Sequence, residues 1–323
     1  VDQVRLGRYK SIGERPQRVV LIQIRGFLEA GDCGKGTEIC CTHCTTPRAT
    51  GWQSVPPAPS SEASIGGRPP PRYAGAMKDR FPTDNPLTEG FVEIDGEGFY
   101  AIPDADRLGP FLMSIVSDAD HWMFVSSRGG LTAGRGVSAL ALFPYDTEDR
   151  LHHAAGMTGP ITAIRIEGPI GSILWEPFRG APSPQRQRNL YKSVVGNEII
   201  FEESNPDAGL VFLYRWSNSA RFGFARTSTL SNTGDHPVRL SVLDGLVNLL
   251  PFGLDPSLYQ RVSSLTNAYK RSEVVDPETR LAVYSLESHV DDQPEPAEVL
   301  TASVAWSVGF DEASLALNPD LLE

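Results

Sequence analysis

GPFLMSIVSDADHWMFVSSRGGLTAGRGVSALALFPY, residues 109–145, is the stretch of sequence that determines the fold class. Apolar and polar residues alternate through much of it, which is the period of a half-buried strand. Turn-forming residues separate the alternating segments, and the stretch contains no catalytic motif. We therefore expect residues 113–116 to pair with residues 121–126, and the run from Arg128 to Gly136 to form a glycine-turned hairpin.

The same alternation continues along the chain. Residues 91–102 predict a hairpin around the turn Asp95-Gly96-Glu97-Gly98. Turn-rich segments such as residues 205–209 and 232–235 separate the later strands. Further strands are expected at residues 139–143, 161–166, 173–177, 198–202, 210–216, 221–231, 238–242, 280–286 and 300–310, the last with Val304, Trp306, Val308 and Phe310 on one face.

One clear helix interrupts this pattern. Asp255 is placed to cap it, and Pro256 fits its first turn. Its apolar face is expected to hold Leu258, Val262, Leu265 and Tyr269. Short strands at regular intervals, with no helix between most of them, predict an all-β, mainly antiparallel fold. We expect a large β super-sandwich with one or two short helices, preceded by a disordered N-terminal segment.

Residues 1–76 differ in character from the rest. They show no sustained helical or strand period and contain many prolines, so we expect a disordered leader or a spurious upstream extension, with Met77 as the natural start. All four cysteines fall here. Cys33 and the cluster from Cys40 to Cys44 offer zinc donors, but the spacing lacks a second ligand pair, so no metal site is expected. Residues 77–323 form the predicted sandwich domain.

Charge and hydropathy exclude some partners. Lysine and arginine minus aspartate and glutamate give 10 − 6 = +4 for residues 1–76 and 19 − 34 = −15 for residues 77–323. Such an acidic body repels phosphates, so neither nucleic acid nor an anionic membrane is an expected partner. The longest early apolar run, residues 19–24, is too short for a membrane span or a secretion signal. A cytoplasmic location is favoured.

Several motifs have competing interpretations. Gly134-x-Gly136-x-x-Ala139 fits a dinucleotide fingerprint, but the following residues predict a strand rather than a helix, so no nucleotide cofactor is expected. The acidic pairs Asp118/Asp120, Glu202/Glu203 and Asp291/Asp292 are typical of solvated loops or strand edges. Trp122 and the other tryptophans and tyrosines are residues that can stack on sugar rings, although most are expected in the core.

Three stretches together resemble the N-terminal β-sandwich domain of the glycoside phosphorylases of glycoside hydrolase family 94. They are GPFLMSIVSDADHWMFVSSRGGLTAGR (109–135), TSTLSNTGDHPVRLSVLDGLVNLLP (227–251) and SLTNAYKRSEVVDPETRLAVYSL (264–286). The resemblance implies a domain of the galactose mutarotase-like, carbohydrate-binding type that packs against an (α/α)6 barrel. The barrel carries the catalytic acid in that family, and residues 316–323 do not resemble its beginning.

The resemblance implies a non-catalytic domain of an inverting glycoside phosphorylase, cellobiose phosphorylase-like, or of a glucan-processing relative. It implies an oligosaccharide or β-glucan as partner, inorganic phosphate as co-substrate of the parent enzyme and a possible homodimer, with no other cofactor. A stand-alone carbohydrate-binding module and a dimerisation scaffold are the alternatives. The candidate carbohydrate-binding residues are Asp118, Asp120, His121, Trp122 and Arg135. They flank a predicted loop on a rigid scaffold, where binding sites are common.

Overall fold

A computed structural model gives the fold. It describes the backbone of two early strands and then most of the chain from residue 90, namely residues 19–28, 37–45, 90–168, 171–180, 183–219, 223–277, 280–288, 301–308 and 313–317. The predicted surface loop at residues 291–298 and the predicted continuation of a strand to Phe310 lie outside the described residues.

The described chain is built mainly from strands. In order they are β1 (Val19–Leu28), β2 (Thr37–Thr45), β3 (Gly90–Ile94), β4 (Glu97–Ile102), β5 (Leu112–Ile115), β6 (His121–Ser126), β7 (Leu131–Arg135), β8 (Gly159–Gly168), β9 (Gly171–Trp175), β10 (Gln187–Ser193), β11 (Ile199–Asn205), β12 (Leu210–Ser219), β13 (Gly223–Asn232), β14 (Val238–Val247), β15 (Lys270–Asp276), β16 (Leu281–Leu286), β17 (Thr301–Val308) and β18 (Ala313–Ala316). The α-helices are α1 (Glu148–His153), α2 (Pro256–Arg261) and α3 (Ser263–Tyr269).

These strands form three sheets in which every pairing is antiparallel. A ten-stranded sheet has the order β15-β16-β17-β2-β13-β12-β11-β10-β4-β3. A five-stranded sheet has the order β18-β1-β14-β8-β9, and a three-stranded sheet has the order β5-β6-β7. The mainly antiparallel all-β fold expected from the alternation is confirmed.

One large apolar core joins the three sheets. Inward-facing residues such as Ile164 on β8, Phe212 on β12 and Met123 on β6 belong to the same buried cluster. The alternation of each strand sends every second side chain into this core, as expected for stacked sheets. A smaller apolar cluster on the other side of the three-stranded sheet packs it against the segment that carries α2 and α3. The three-stranded sheet therefore has apolar side chains on both faces.

Two predicted turns are confirmed in detail. Asp95 and Gly96 connect β3 and β4, both with positive φ, 56° and 82°. This is the backbone geometry of a tight hairpin turn, which Asp-Gly sequences favour. Between β11 and β12, the Asn205 side chain accepts a hydrogen bond from the Ala208 amide, and Gly209 adopts φ 62°. Local turn chemistry alone explains both connections.

The strand predicted at residues 139–143 is wrong. Residues Ser138–Leu140 form a 3-10 turn, and only Ala141 makes a bridge, to Gly134 on β7. The amides of Leu142 and Phe143 both donate to the Ala133 carbonyl, so the chain cannot continue a regular ladder there. Leu142 and Phe143 are fully buried all the same. An apolar run predicts burial, but it does not distinguish a buried coil from a strand.

β17 alternates as predicted. Val304, Trp306 and Val308 lie on one face, which is partly exposed in the described structure. The buried side chains are those of Ser303, Ala305 and Ser307, which alternate with them. The period-two prediction is therefore confirmed, and the small residues form the buried face of the strand.

The predicted helix at residues 255–269 is present as two helices. Asp255 caps α2 as expected, since its carboxylate accepts from the amides of Ser257 and Leu258. Val262, however, has φ −132° and ψ 45°, which ends α2 before α3 begins. The backbone of Val262 departs from helical dihedral angles, so the predicted apolar face is divided between two short helices.

The segment 1–76 contributes two strands for which the sequence suggested only disorder. β1 pairs with β14 and β18 in the five-stranded sheet, and β2 pairs with β13 and β17 in the ten-stranded sheet. β1 contains the apolar run noted at residues 19–24. The remainder of the segment lies outside the described residues, as do the side chains of the cysteine cluster, and the domain boundary at residue 76 stays a prediction.

Lys192 on β10 links the ten-stranded sheet to the three-stranded sheet. Its Nζ donates to the carbonyls of Ser114 and Gly196, and burial lowers its pKa to about 8. Between pH 8 and 10 the unfolded chain therefore holds a proton that the folded chain has released, so stability due to this group rises with pH in that window. We expect the free energy of unfolding of the wild type to rise relative to that of Lys192→Met between pH 7.5 and 9.5. Urea denaturation at both pH values measures this, and parallel pH profiles of the two proteins would contradict it.

Candidate functional site

Asp118 and Asp120 lie in the turn between β5 and β6, and both side chains are exposed. Asp120 has φ 57°, a left-handed conformation that aspartate tolerates better than most residues. Its carbonyl accepts from the Gly136 amide at 2.8 Å, which ties the turn to the end of β7. Asp120 is thus part of the turn's own structure, and its carboxylate stays exposed.

His121 and Arg135 face each other across the β6–β7 pair. The His121 ring lies 5.2 Å from that of Phe224, and its Nδ1 is buried without a hydrogen-bond partner in the described structure. Burial lowers the pKa of His121, Arg135 lowers it further, and Asp120 and Asp118 oppose the change. Four of the five predicted residues thus lie at one end of the three-stranded sheet.

Trp122 points to the opposite face of that sheet. Its ring lies directly over Gly134, where an added Cβ would come within 2.5 Å of it, and it meets Tyr145 edge-on at 5.8 Å. Trp122 also packs against the apolar cluster that contains Leu250 and Leu254. The structure therefore separates Trp122 from His121, and the role of all five residues in carbohydrate binding stays a prediction.

The prediction that Glu202 and Glu203 are solvated is wrong. Adjacent on β11, they point to opposite faces of the ten-stranded sheet, and both are buried. Glu202 accepts hydrogen bonds from Asn189 Nδ2 and the Tyr191 hydroxyl, and burial raises its pKa against the effect of these two donors. A buried carboxylate needs hydrogen-bond partners, and the partners of Glu202 come from the neighbouring strand β10. The burial of this acidic pair can therefore be recognised only once the pairing of the strands is known.

A cavity of about 530 Å³ lies between the ten-stranded sheet, β8 and the β6–β7 turn. Ligand pockets commonly have volumes of about 300–1,000 Å³. The cavity combines an apolar floor with polar and charged side chains. The aromatic, polar and charged residues of its lining include Asp106, Arg128, His152, His153, Thr162, Phe178, Arg179, Arg188, Asn189, Phe201 and Tyr214.

Tyr214 on β12 forms the centre of the floor. Phe201 stacks on its ring at 4.7 Å with an interplanar angle of 12°, and the Arg226 guanidinium lies 4.8 Å from the ring centroid. Phe178 meets the ring edge-on at 5.1 Å. With both ring faces occupied, Tyr214 does not offer a stacking surface to a ligand, and it presents its hydroxyl edge instead.

The Tyr214 hydroxyl has no hydrogen-bond partner within the described residues, although the residue is only 2% exposed. Gly129 approaches it closely, since a Cβ at that position would lie 3.2 Å from the hydroxyl oxygen, and Gly129 has φ 94°. Burial raises the pKa of Tyr214, so the phenol keeps its proton at neutral pH. The cavity therefore contains a buried hydroxyl that is free to donate to a ligand.

A buried ion pair supports this floor from behind. Arg226 on β13 donates to both carboxylate oxygens of Asp244 on β14, at 2.8 and 2.9 Å. The Thr162 hydroxyl on β8 donates to the same carboxylate at 2.6 Å. This network joins the ten-stranded sheet to the five-stranded sheet and holds the Arg226 guanidinium against Tyr214.

A second buried carboxylate shapes the wall. Glu203 accepts hydrogen bonds from Trp175 Nε1 at 2.8 Å, the Phe178 amide at 2.6 Å and Arg188 Nε at 2.7 Å. Arg188 also donates to the carbonyls of Arg179 and Gly180. These bonds fix the segment that follows β9, including Phe178 with φ 63°. Pre-organisation of this kind limits the entropy lost when a ligand binds.

The cavity-lining His152 lies between a serine and a glutamate that are both within reach of its ring. Ser126 Oγ and His152 Nδ1 are 2.9 Å apart, and His152 Nε2 lies 3.5 Å from a Glu148 carboxylate oxygen. This order is that of a hydrolase triad. Ser126 is fully buried, however, and its Oγ accepts from the Arg128 amide. The arrangement orients His152 at the cavity and holds the turn, and it does not present a nucleophile to a substrate.

Sequence reasoning named only a few of these residues. Tyr214 was one of the tyrosines that can stack on sugar rings, and no role was predicted for His152 or His153. Arg128, Phe178 and the Arg226–Asp244 pair carried no recognisable signal, because they come from separate strands and turns that only the sheet packing brings together. No group of three or more potential metal-ligating side chains occurs in the described part of the chain.

Comparison with the known protein families and with curated protein sequences gave no match. The resemblance to family 94 therefore stays a prediction based on the three quoted stretches, as do the parent enzyme, its inorganic phosphate, the homodimer and the cytoplasmic location. Among the described helices, none combines the length and the hydropathy of a transmembrane segment.

Proposed function

We propose that this chain is a carbohydrate-binding β-sandwich domain of a carbohydrate-processing protein, and that the sugar binds in the cavity over Tyr214. The observation that supports this most directly is the unpartnered Tyr214 hydroxyl at the floor of a cavity of about 530 Å³. This hydroxyl is not committed to another protein group, so a ligand hydroxyl can accept its hydrogen bond in place of solvent. Asp106 adds a carboxylate to the lining of the same cavity.

The proposal treats the domain as non-catalytic. Glycoside-cleaving sites place two carboxylates on either side of the scissile bond. Asp106 is the one carboxylate that lines the cavity within the described residues. The catalytic groups of the parent protein, a glycoside phosphorylase or glucan-processing enzyme by resemblance, would then lie in another domain.

Calorimetric titration tests the binding role. We expect at least one of glucose, cellobiose and laminaribiose to bind the wild type in a saturable 1:1 manner. Tyr214→Phe should weaken this binding by about 3- to 10-fold, since it removes one hydrogen bond worth about 0.5–1.5 kcal/mol.

The matched control is Tyr100→Phe, which removes the same hydroxyl from an exposed position on β4. This variant should bind as the wild type does. Absence of saturable binding by all three sugars would remove the proposal, and an equal loss in both variants would place the sugar outside the cavity.

A further inference from the structure

The cavity has a basic corner formed by Arg128 in the β6–β7 turn and by His152 and His153 at the end of α1. The whole chain carries a net charge of −11, so its average surface repels anions. The lining of the cavity departs from this average, because it contains three arginines and two histidines against one carboxylate, Asp106. The contrast points to the chemistry of the ligand.

Two of the three arginines are already neutralised within the protein. Arg188 pairs with Glu203 at 2.7 Å, and Arg179 pairs with Glu176 at 2.8 Å. These pairs build the wall and leave little positive charge for a ligand. Arg128 differs, since within the described structure no ion pair or side-chain hydrogen bond involves its guanidinium, and its side chain is exposed.

The Tyr214 hydroxyl lies next to this corner. Gly129, the residue after Arg128, is the one whose missing Cβ leaves room for that hydroxyl. Ser126 holds the turn from the other side, through the Arg128 amide and the His152 ring. A guanidinium and a neutral phenol O–H are both donors, and neither offers a charge that would repel an anion.

We propose that the cavity takes a sugar that bears a carboxylate or phosphate group, with the anionic group bound by Arg128 and the Tyr214 hydroxyl. This inference rests on the proposed carbohydrate-binding role. Asp106 belongs to another element of the lining, and its carboxylate is suited to accept hydrogen bonds from the neutral hydroxyls of the same sugar.

Calorimetry with four matched probes tests the inference: glucose, glucuronate, glucose 6-phosphate and inorganic phosphate. We expect glucuronate or glucose 6-phosphate to bind the wild type at least about tenfold more tightly than glucose, because charge-assisted hydrogen bonds are the stronger ones. This preference should decrease as sodium chloride is added. Arg128→Gln should abolish the preference, so that glucuronate and glucose 6-phosphate bind no more tightly than glucose.

Arg150→Gln is the control, since Arg150 is an exposed arginine on α1 that pairs with Asp146 and does not line the cavity. It should keep the preference. Equal affinities for glucose and both acidic sugars would overturn the inference. A preference for the acidic sugars that persists in Arg128→Gln would overturn it as well. Neither result would contradict the proposed function. Binding of inorganic phosphate as tight as that of glucose 6-phosphate would also overturn the inference, because the sugar would then contribute nothing to the affinity. Failure of these three sugars together with cellobiose and laminaribiose would instead overturn the proposed function itself.

Discussion

Replacing Arg226 with methionine is expected to lower the free energy of unfolding by about 3–5 kcal/mol, because it leaves the Asp244 carboxylate buried without its counter-charge. Arg226 and Asp244 are 0% and 1% exposed, and they meet through two hydrogen bonds between β13 and β14. After the substitution, Thr162 is the one donor of the network that remains. Urea denaturation followed by circular dichroism measures the loss.

Two further variants separate charge from packing. Arg239→Met makes the same substitution in an exposed ion pair. The Arg239 side chain is 72% exposed, and its Nε lies 3.9 Å from a carboxylate oxygen of Glu167. The cost of this substitution should stay below about 1 kcal/mol. The double variant Arg226→Met with Asp244→Leu removes both charges and should recover most of the lost stability. If the double variant is no more stable than Arg226→Met alone, the unpaired charge is not the cause of the loss.

Phe201→Ala is expected to cost about 3–5 kcal/mol, since it removes a fully buried aromatic ring from the main core. Phe201 stacks on Tyr214 and meets Phe178 edge-on at 6.0 Å, so it supports two residues of the cavity floor. The variant should therefore also lose sugar affinity under conditions in which it remains folded. Urea denaturation and calorimetry measure the two effects separately.

Phe91→Ala provides the matched control. Phe91 lies on β3 at the edge of the ten-stranded sheet and is 66% exposed. The same substitution there should change the free energy of unfolding by no more than about 0.5 kcal/mol and leave sugar affinity unchanged. A loss of stability in Phe201→Ala with unchanged affinity would show that the stacked ring is not needed to place the Tyr214 hydroxyl.

Local signals in the sequence were sufficient for most of the fold. The hairpin at Asp95 and Gly96 and the cap at Asp255 depend on a few adjacent residues, and both are present as predicted. Strands with clear alternation, such as β6 and β12, were also identified. β10 and β15 were missed, because QRNLYKS and KRSEVVD have too little apolar alternation to stand out from loops.

The side of a strand that is buried was less predictable than the strand itself. β17 alternates as predicted, and its buried face is that of Ser303 and Ala305 rather than that of Trp306. Alternation shows which residues share a face, whereas the packing of the sheets decides which face is buried. The separation of Trp122 from His121 has a similar basis, since successive residues of a strand point to opposite faces.

The candidate site could not be predicted, because its parts are distant in the chain. Tyr214 is central to it, yet as one of nine tyrosines it carried no distinguishing signal. Glu203 looked like half of an exposed acidic pair until three donors, from Trp175, Phe178 and Arg188, were seen to converge on it. A buried glutamate and an exposed one are the same letter in the sequence, and only the hydrogen-bond donors that surround the carboxylate in the folded protein distinguish them.

By itself, the stretch at residues 109–145 determined that the chain forms antiparallel strands with tight turns, since alternation and turn chemistry act between neighbouring residues. Tertiary structure alone decided that Gly129 leaves room for the Tyr214 hydroxyl, 85 residues further along the chain, and that Arg226 faces Asp244 across two sheets. These contacts depend on how whole sheets stack, because packing brings together side chains that share no local pattern. The strands followed from local sequence, and the cavity between them followed from their packing.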